Sequence, residues 1–157
     1  MKILKILVIS FALVLTSCSF DITQNEVDKV KEVFSEQLDK LYYLYENNVK
    51  DIMEDFSLEK AENMLNDILA NIPEDKKELV YNGVEKGIKL LEDGKEILAN
   101  ELSMDISVEG MKEEIEKVLE SLSNIDARIS VGDVIIEKTE DNYKLDCTIN
   151  FFYENKK

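Results

Sequence analysis

Oxygen-bearing side chains between residues 105 and 116 are spaced like the ligands of a calcium-binding loop. Positions 1, 3, 5 and 12 of such a loop are held by Asp105, Ser107, Glu109 and Glu116, and position 6 by Gly110. Oxygen ligands at alternating positions, a glycine for the sharp turn and a bidentate glutamate suit a hard, seven-coordinate cation. The spacing therefore makes calcium a candidate ligand.

Three neighbouring side chains weaken the interpretation of this segment as a calcium-binding loop of the EF-hand type. Ile106 and Val108 are apolar where such loops are usually polar, and Lys112 replaces the apolar residue expected at position 8. The alternative is a helix that begins after Ser107, with an early acid that favours the helix dipole. We therefore assign no metal site and expect no bound cofactor.

Cys18 is the other residue whose position indicates chemistry. Two lysines near the amino terminus precede an apolar stretch from 6 to 15, and Leu15, Thr16 and Ser17 come directly before Cys18. The pattern resembles the signal peptide and lipobox of bacterial lipoproteins. That resemblance implies cleavage between Ser17 and Cys18, lipidation of the Cys18 thiol and acylation of the new amino terminus.

A membrane-spanning helix or an ordinary secretory signal fits this segment less well. A spanning helix needs about 20 apolar residues, and the stretch before Cys18 is shorter. An ordinary signal would leave the placement of the cysteine unexplained. Two acyl chains already give stable anchoring. In enterobacterial lipoproteins an aspartate after the cysteine retains the protein at the inner membrane, so Ser19 implies the outer membrane in an organism that has one.

The charge of the chain excludes some classes of partner. Removal of residues 1–17 takes away two lysines and no acid, which changes the formal net charge from −15 to −17. Such a field repels nucleic acid and anionic lipid and favours basic partners or divalent cations. We therefore expect no nucleic-acid function, and solvated carboxylates that keep the domain soluble.

The residue inventory offers little for catalysis. The chain has no histidine, which is the commonest general base, and no phosphate-binding loop or nucleophile motif. We therefore expect a non-catalytic binding or structural component of the cell envelope, held at the membrane by its lipid and able to bind an envelope protein. The alternative is an acidic inhibitor or immunity lipoprotein that neutralises a cationic enzyme, toxin or peptide.

One domain is predicted to follow the anchor. Residues 1–17 are the signal peptide and 18–22 a tether, because Thr23 and Glu26 form a capping box that begins a helix. An extended tether of this length reaches on the order of 15 Å at about 3.5 Å per residue, so the domain, 23–157, should lie close to the membrane.

Helical spacing of apolar residues predicts four helices. The first runs to about Asp55, and the second begins after Ser57, which can cap it. The third runs from Pro73, in its first turn, to about Glu101, interrupted by glycines that we attribute to close packing. The fourth begins after Ser107.

The period then changes to two, which predicts strands over about 127–138 and 143–153, with a bulge at Gly132. Cys147 lies on the apolar side of the second strand, where we expect an inert buried thiol. The predicted fold class is mainly α (α+β), with about four amphipathic helices followed by a C-terminal antiparallel hairpin.

Overall fold

The computed structural model of the chain describes residue 30, residues 32–47 and residues 51–154. A five-stranded mixed sheet dominates this part of the chain, with 47% of the structure in strands and 33% in helices. The predicted mainly helical class is therefore wrong. The signal peptide 1–17, the tether 18–22 and the capping box at Thr23 lie outside the described residues.

The secondary structure elements alternate along the chain. The helices are α1 (Ser35–Asn47), α2 (Leu58–Ile68) and α3 (Lys112–Ser123), and a 3-10 turn covers Glu74–Lys76. The strands are β1 (Met53–Glu54), β2 (Lys77–Glu92), β3 (Lys95–Gly110), β4 (Ile129–Lys138) and β5 (Tyr143–Glu154).

Strand β5 lies in the centre of the sheet. It pairs antiparallel with β3 along one side and with β4 along most of the other. At its end it pairs in parallel with the short β1, where Met53 lies opposite Tyr153. Strand β2 pairs with β3 and forms the outer edge of the sheet among the described strands.

The hydrophobic core lies on one face of this sheet. Alternate residues of the two central strands are buried there, from Leu102 to Val108 on β3 and from Leu145 to Tyr153 on β5. The three helices add their apolar sides to the same cluster, through Leu41, Leu65 and Leu119 among others. We call this the helix-side face, and the opposite face the polar face.

The second predicted helix is present as α2. Ser57 has extended backbone angles, and its hydroxyl accepts a hydrogen bond from the Lys60 amide at 3.3 Å. This bond satisfies one of the amide groups that the first turn of a helix leaves without a partner. Just before the cap, Phe56 packs on Phe151 of β5 with ring centroids 5.1 Å apart.

The third predicted helix is wrong, because this segment forms the long hairpin of β2 and β3. Asp93 and Gly94 connect the strands with φ angles of 49° and 74°. Positive φ at both central residues is typical of a two-residue type I′ turn, which matches the twist of a hairpin. Gly83 and Gly87 also have positive φ, of 127° and 70°, which a right-handed helix does not accommodate.

The first and fourth helices differ from prediction in their bounds. Helix α1 ends at Asn47 and not near Asp55, and the chain then forms β1. The fourth helix begins at Lys112, so Ser107 is a strand residue and not its cap. The cap comes instead from the Glu114 carboxylate, which accepts a hydrogen bond from the Met111 amide at 2.8 Å.

The C-terminal hairpin is present, as part of the larger sheet. Its pairing shifts register between Gly132 and Ile135, where Asp133 has a φ of 52°, so the predicted bulge is confirmed. The turn between the strands is closed by Thr139, whose hydroxyl accepts a hydrogen bond from the backbone amide of Asn142 at 3.2 Å.

Candidate functional site

The polar face of the sheet carries a row of paired oxygen and nitrogen groups. Asp105 of β3 lies opposite Thr148 of β5, and the Thr148 hydroxyl donates a hydrogen bond to the Asp105 carboxylate at 2.6 Å. Further along β5, the Asn150 amide donates to the Ser130 hydroxyl of β4 at 3.1 Å. The alternation that buries one side of each strand thus places these groups on the other side.

Glu109 is a carboxylate on this face with two hydrogen-bond partners. It accepts hydrogen bonds from the Lys76 ammonium at 2.9 Å and from the side-chain amide of Asn142 at 3.4 Å. These bonds lower the pKa of Glu109 from its ordinary value. The bond to Glu109 in turn raises the pKa of Lys76. The contact joins the 3-10 turn before β2 to the end of the β4–β5 hairpin.

The structure does not gather the candidate calcium ligands into a loop. Asp105, Ser107 and Glu109 alternate along β3 on the polar face, where residues two apart are separated by about 6.6 Å along the strand. Glu116 lies on α3, which covers the helix-side face, and forms an ion pair with Lys112 at 3.1 Å. Within the described residues no group of three or more potential metal-binding side chains comes together.

The structure explains the glycine at position 110 by a close contact and not by the turn of a calcium loop. A Cβ atom at this position would lie 2.7 Å from the Glu114 carboxylate oxygen that caps α3. The absence of a side chain therefore lets the capping carboxylate approach the end of β3.

Cys147 occupies the position that its alternation predicts. It is buried on the helix-side face, and burial raises the pKa of its thiol well above the ordinary value. A thiol with a raised pKa holds little thiolate at neutral pH, so Cys147 is a packing residue.

Arg128 is a functional candidate that the sequence reasoning missed. It is the single arginine of the chain, it precedes β4, and its side chain is only 5% exposed. Its guanidinium donates a hydrogen bond to the Glu92 carboxylate near the tip of the β2–β3 hairpin, at 3.2 Å. The imbalance between eighteen lysines and one arginine was the only sequence signal for it.

The grooves at the surface of the described residues include the following two. One, of about 570 Å³, runs between α1 and α3, and its lining includes Asp39, Lys40, Tyr43, Leu44 and Glu120. The other, of about 580 Å³, separates the tip of the β2–β3 hairpin from Asp51, Ile52 and Arg128.

The largest exposed apolar side chains of the sheet belong to the β2–β3 hairpin. Leu91 and Leu98 are 68% and 62% exposed, and Tyr81 and Val84 continue the same side of β2. Isolated surface leucines are ordinary, but neighbouring apolar side chains on one side of an exposed hairpin are typical of contact surfaces.

The lipidation site Cys18 and the cleavage site at Ser17 lie outside the described residues. In the part of the chain that the structure does describe, no helix is both long enough and apolar enough to cross a membrane.

Comparisons with known proteins show a weak likeness only. No family model matches the chain, and no curated protein matches it. Among solved structures, the core region of PilO from the type IV pilus system of Pseudomonas aeruginosa is 15% identical with a TM-score of 0.37, covering 59% of this chain and 93% of that one. The type 4 fimbrial biogenesis protein PilO from the same organism is 11% identical with a TM-score of 0.37, covering 88% and 91%.

Proposed function

We propose that the mature chain is a lipid-anchored, non-catalytic component of a bacterial cell-envelope assembly. The observation that carries this proposal is the position of Cys18, directly after Leu15, Thr16 and Ser17 at the end of a short apolar stretch. Acylation of Cys18 would hold the domain at a membrane without a spanning helix.

The arrangement of the sheet supports a binding role. Its helix-side face is filled by the core, whereas the edge strand β2 presents unpaired backbone groups and exposed apolar side chains in the described structure. An edge of this kind is a common place for another chain to bind.

The two ends of the domain differ in a way that suits an anchored protein. Phe34, just before α1, packs on Tyr143 at the beginning of β5, with ring centroids 5.1 Å apart. The tip of the β2–β3 hairpin lies at the other end of β5, where the backbone amide of Phe152 donates a hydrogen bond to the carbonyl oxygen of Arg128. Ten residues of strand separate these ends by about 33 Å. We infer that the hairpin tip is the end presented to a partner.

A second candidate function is inhibition of a cationic enzyme, toxin or peptide. The observation that favours it is the mature charge of −17 together with the groove between α1 and α3, where two acids, Asp39 and Glu120, and one lysine, Lys40, line the space beside the exposed ring of Tyr43. Acidic and apolar groups side by side would attract a basic amphipathic segment.

Cross-linking in cells followed by affinity purification tests the first function against the second. We expect the wild-type chain to recover one or a few envelope proteins in constant proportion, and Cys18→Ala to lose them because it is not held at the membrane. Recovery of no envelope protein above background would contradict the proposal. Saturable one-to-one binding of a basic protein, lost in Asp39→Asn/Glu120→Gln, would favour the inhibitor.

A further inference from the structure

The distal part of the β2–β3 hairpin, residues 88–99, is set apart from the rest of the sheet. Pairing of β3 with β5 begins at Asn100, opposite Tyr153. Among the described strands, residues 88–92 pair only with residues 95–99. We call these twelve residues, which include the turn at Asp93 and Gly94, the strap.

The base of the strap has the backbone of a hinge. The pairing of β2 with β3 shifts register directly before the strap, between Glu85 and Ile88. An earlier shift, between Tyr81 and Gly83, lies where β3 still pairs with β5. Gly83 and Gly87 have positive φ at these two shifts, and a Cβ atom at either would meet no atom within 4 Å. The glycines are therefore required by the bend and not by close packing.

The strap bends toward the polar face and covers the end of the sheet. Ala99 and Phe152 are only 2% and 8% exposed, yet neither belongs to the main core cluster. Ile88 and Leu90 share the side of Ala99 and are half-buried, whereas Leu91 and Leu98 point the other way into solvent. The strap thus forms a small second core on the face that is otherwise polar.

Glu92 fastens the strap to the opposite edge of the sheet. Its carboxylate accepts the hydrogen bond from Arg128, which lies beyond β5, next to β4. A guanidinium that is 5% exposed requires a counter-charge, because an unpaired buried charge is strongly destabilising. In an open position the same guanidinium would be hydrated.

The strap does not fill the space beneath it. The groove of about 580 Å³ lies between Ile97 and Glu92 on the strap and Asp51 and Ile52 on the segment before β1. Such a gap removes packing contacts that would otherwise hold the strap closed, so the ion pair contributes a larger share.

We propose that the strap opens and closes as a unit, turning at Gly87 and held closed by the Glu92–Arg128 ion pair. Opening exposes Ala99 and Phe152 on the polar face and hydrates Arg128. This device does not depend on lipidation, because every residue in it belongs to the described domain.

Amide hydrogen exchange of the full-length chain in detergent tests the strap. In Glu92→Ala we expect exchange of the amides in residues 88–99 to rise about tenfold, the change that the loss of a charge-assisted hydrogen bond gives. Amides of β5 between Leu145 and Phe151 should keep their wild-type rates. Glu92→Gln, which retains an acceptor without the charge, should give a smaller rise.

Glu96→Ala is the matched control, because it removes the ion pair to Lys89 that lies within the strap, at 2.7 Å. That pair is exposed on both sides, so its loss should change exchange less than about twofold. Unchanged exchange of the strap in Glu92→Ala would overturn the proposal. An equal rise in the strap and in β5 would also overturn it, since the strap would then have no motion of its own.

Discussion

The sheet contains two antiparallel hairpins that differ in what covers them. The β4–β5 hairpin lies under the helices, and every second residue of β5 from Leu145 to Tyr153 is buried. The β2–β3 hairpin is longer, but no residue of β2 is buried, and its tip extends past the pairing with β5. Three helices thus cover one hairpin and leave the outer strand of the other open.

This difference shows how packing under helices constrains the pattern of apolar residues in a strand. Under the helices, a strand buries its apolar side chains on one side, and the sequence of β5 alternates from Leu145 to Phe151. On the open strand β2, apolar residues stand on both sides, as Leu79 and Val80 do. An open strand also leaves room for bends, which β2 makes at Gly83 and Gly87.

Truncation of one large side chain in each hairpin should show the greatest contrast. Phe151→Ala removes a fully buried ring that packs on Phe56, and we expect a loss of about 3–5 kcal/mol in the free energy of unfolding. Leu91→Ala, on the strap, should change it by less than about 0.5 kcal/mol. Denaturant unfolding measures both. Equal losses would show that the strap is packed as firmly as the core.

Substitution of the glycines should separate the bend in β2 from the bulge in β4. Gly87→Ala places a side chain at a φ of 70° and should cost about 1–2 kcal/mol of unfolding free energy. Gly132→Ala is the matched control, because Gly132 has open space and no positive φ, and it should be tolerated. Thermal unfolding checks the pair. A larger loss at Gly132 would contradict this description of the bend.

The packing of helices on the β4–β5 hairpin depends in part on the N-terminal cap of α2. Ser57→Ala removes the hydroxyl that accepts from the Lys60 amide and should cost about 1 kcal/mol. Ser57→Asp keeps an acceptor and should restore most of the stability. If both variants unfold at the same denaturant concentration, the cap contributes nothing to the cover.

The smallest effect concerns Glu109 of β3, which bonds Lys76 of the 3-10 turn and Asn142 of the β4–β5 turn. Its pKa is lower in the folded chain than the ordinary value of 4.5, so the charged form is favoured by folding. The stabilisation is therefore present above about pH 4.5 and lost as the pH falls through the folded pKa. In Lys76→Met, NMR titration should show the pKa of Glu109 moving up toward its ordinary value. Lys40→Met, on α1, should leave it unchanged.

Predictions from sequence succeeded where local chemistry or cover constrains the chain. The alternation in β5, the bulge at Gly132 and the cap at Ser57 were all visible in the sequence and are present. Each depends on neighbours in the chain or on burial of one side, which composition and spacing report directly.

The third helix and the start of the fourth were predicted wrongly for two reasons. On β2, apolar residues at spacings of three and four reflect an open strand and not a helix. On β3, the alternation from Leu102 to Val108 is strict and was overlooked, as was the Asp93-Gly94 pair, which is typical of a hairpin turn. The EF-hand-like spacing of Asp105, Ser107 and Glu109 arose from this alternation.

The Glu92–Arg128 pair could not be derived from the sequence. The two residues are 36 positions apart, and their contact depends on the bend of the strap across the end of β5. Nothing in the local sequence of either residue reports that bend, because long-range contacts follow from topology.

The most direct test of the account is the mass of the chain made from its precursor in a bacterium. We predict a cleaved form that begins at Cys18, carries acyl chains and partitions into the membrane fraction. Cys147→Ala should keep this form, whereas Cys18→Ala or an inhibitor of lipoprotein signal peptidase should abolish it. An unacylated, membrane-free product from the wild-type precursor would contradict the proposed anchoring.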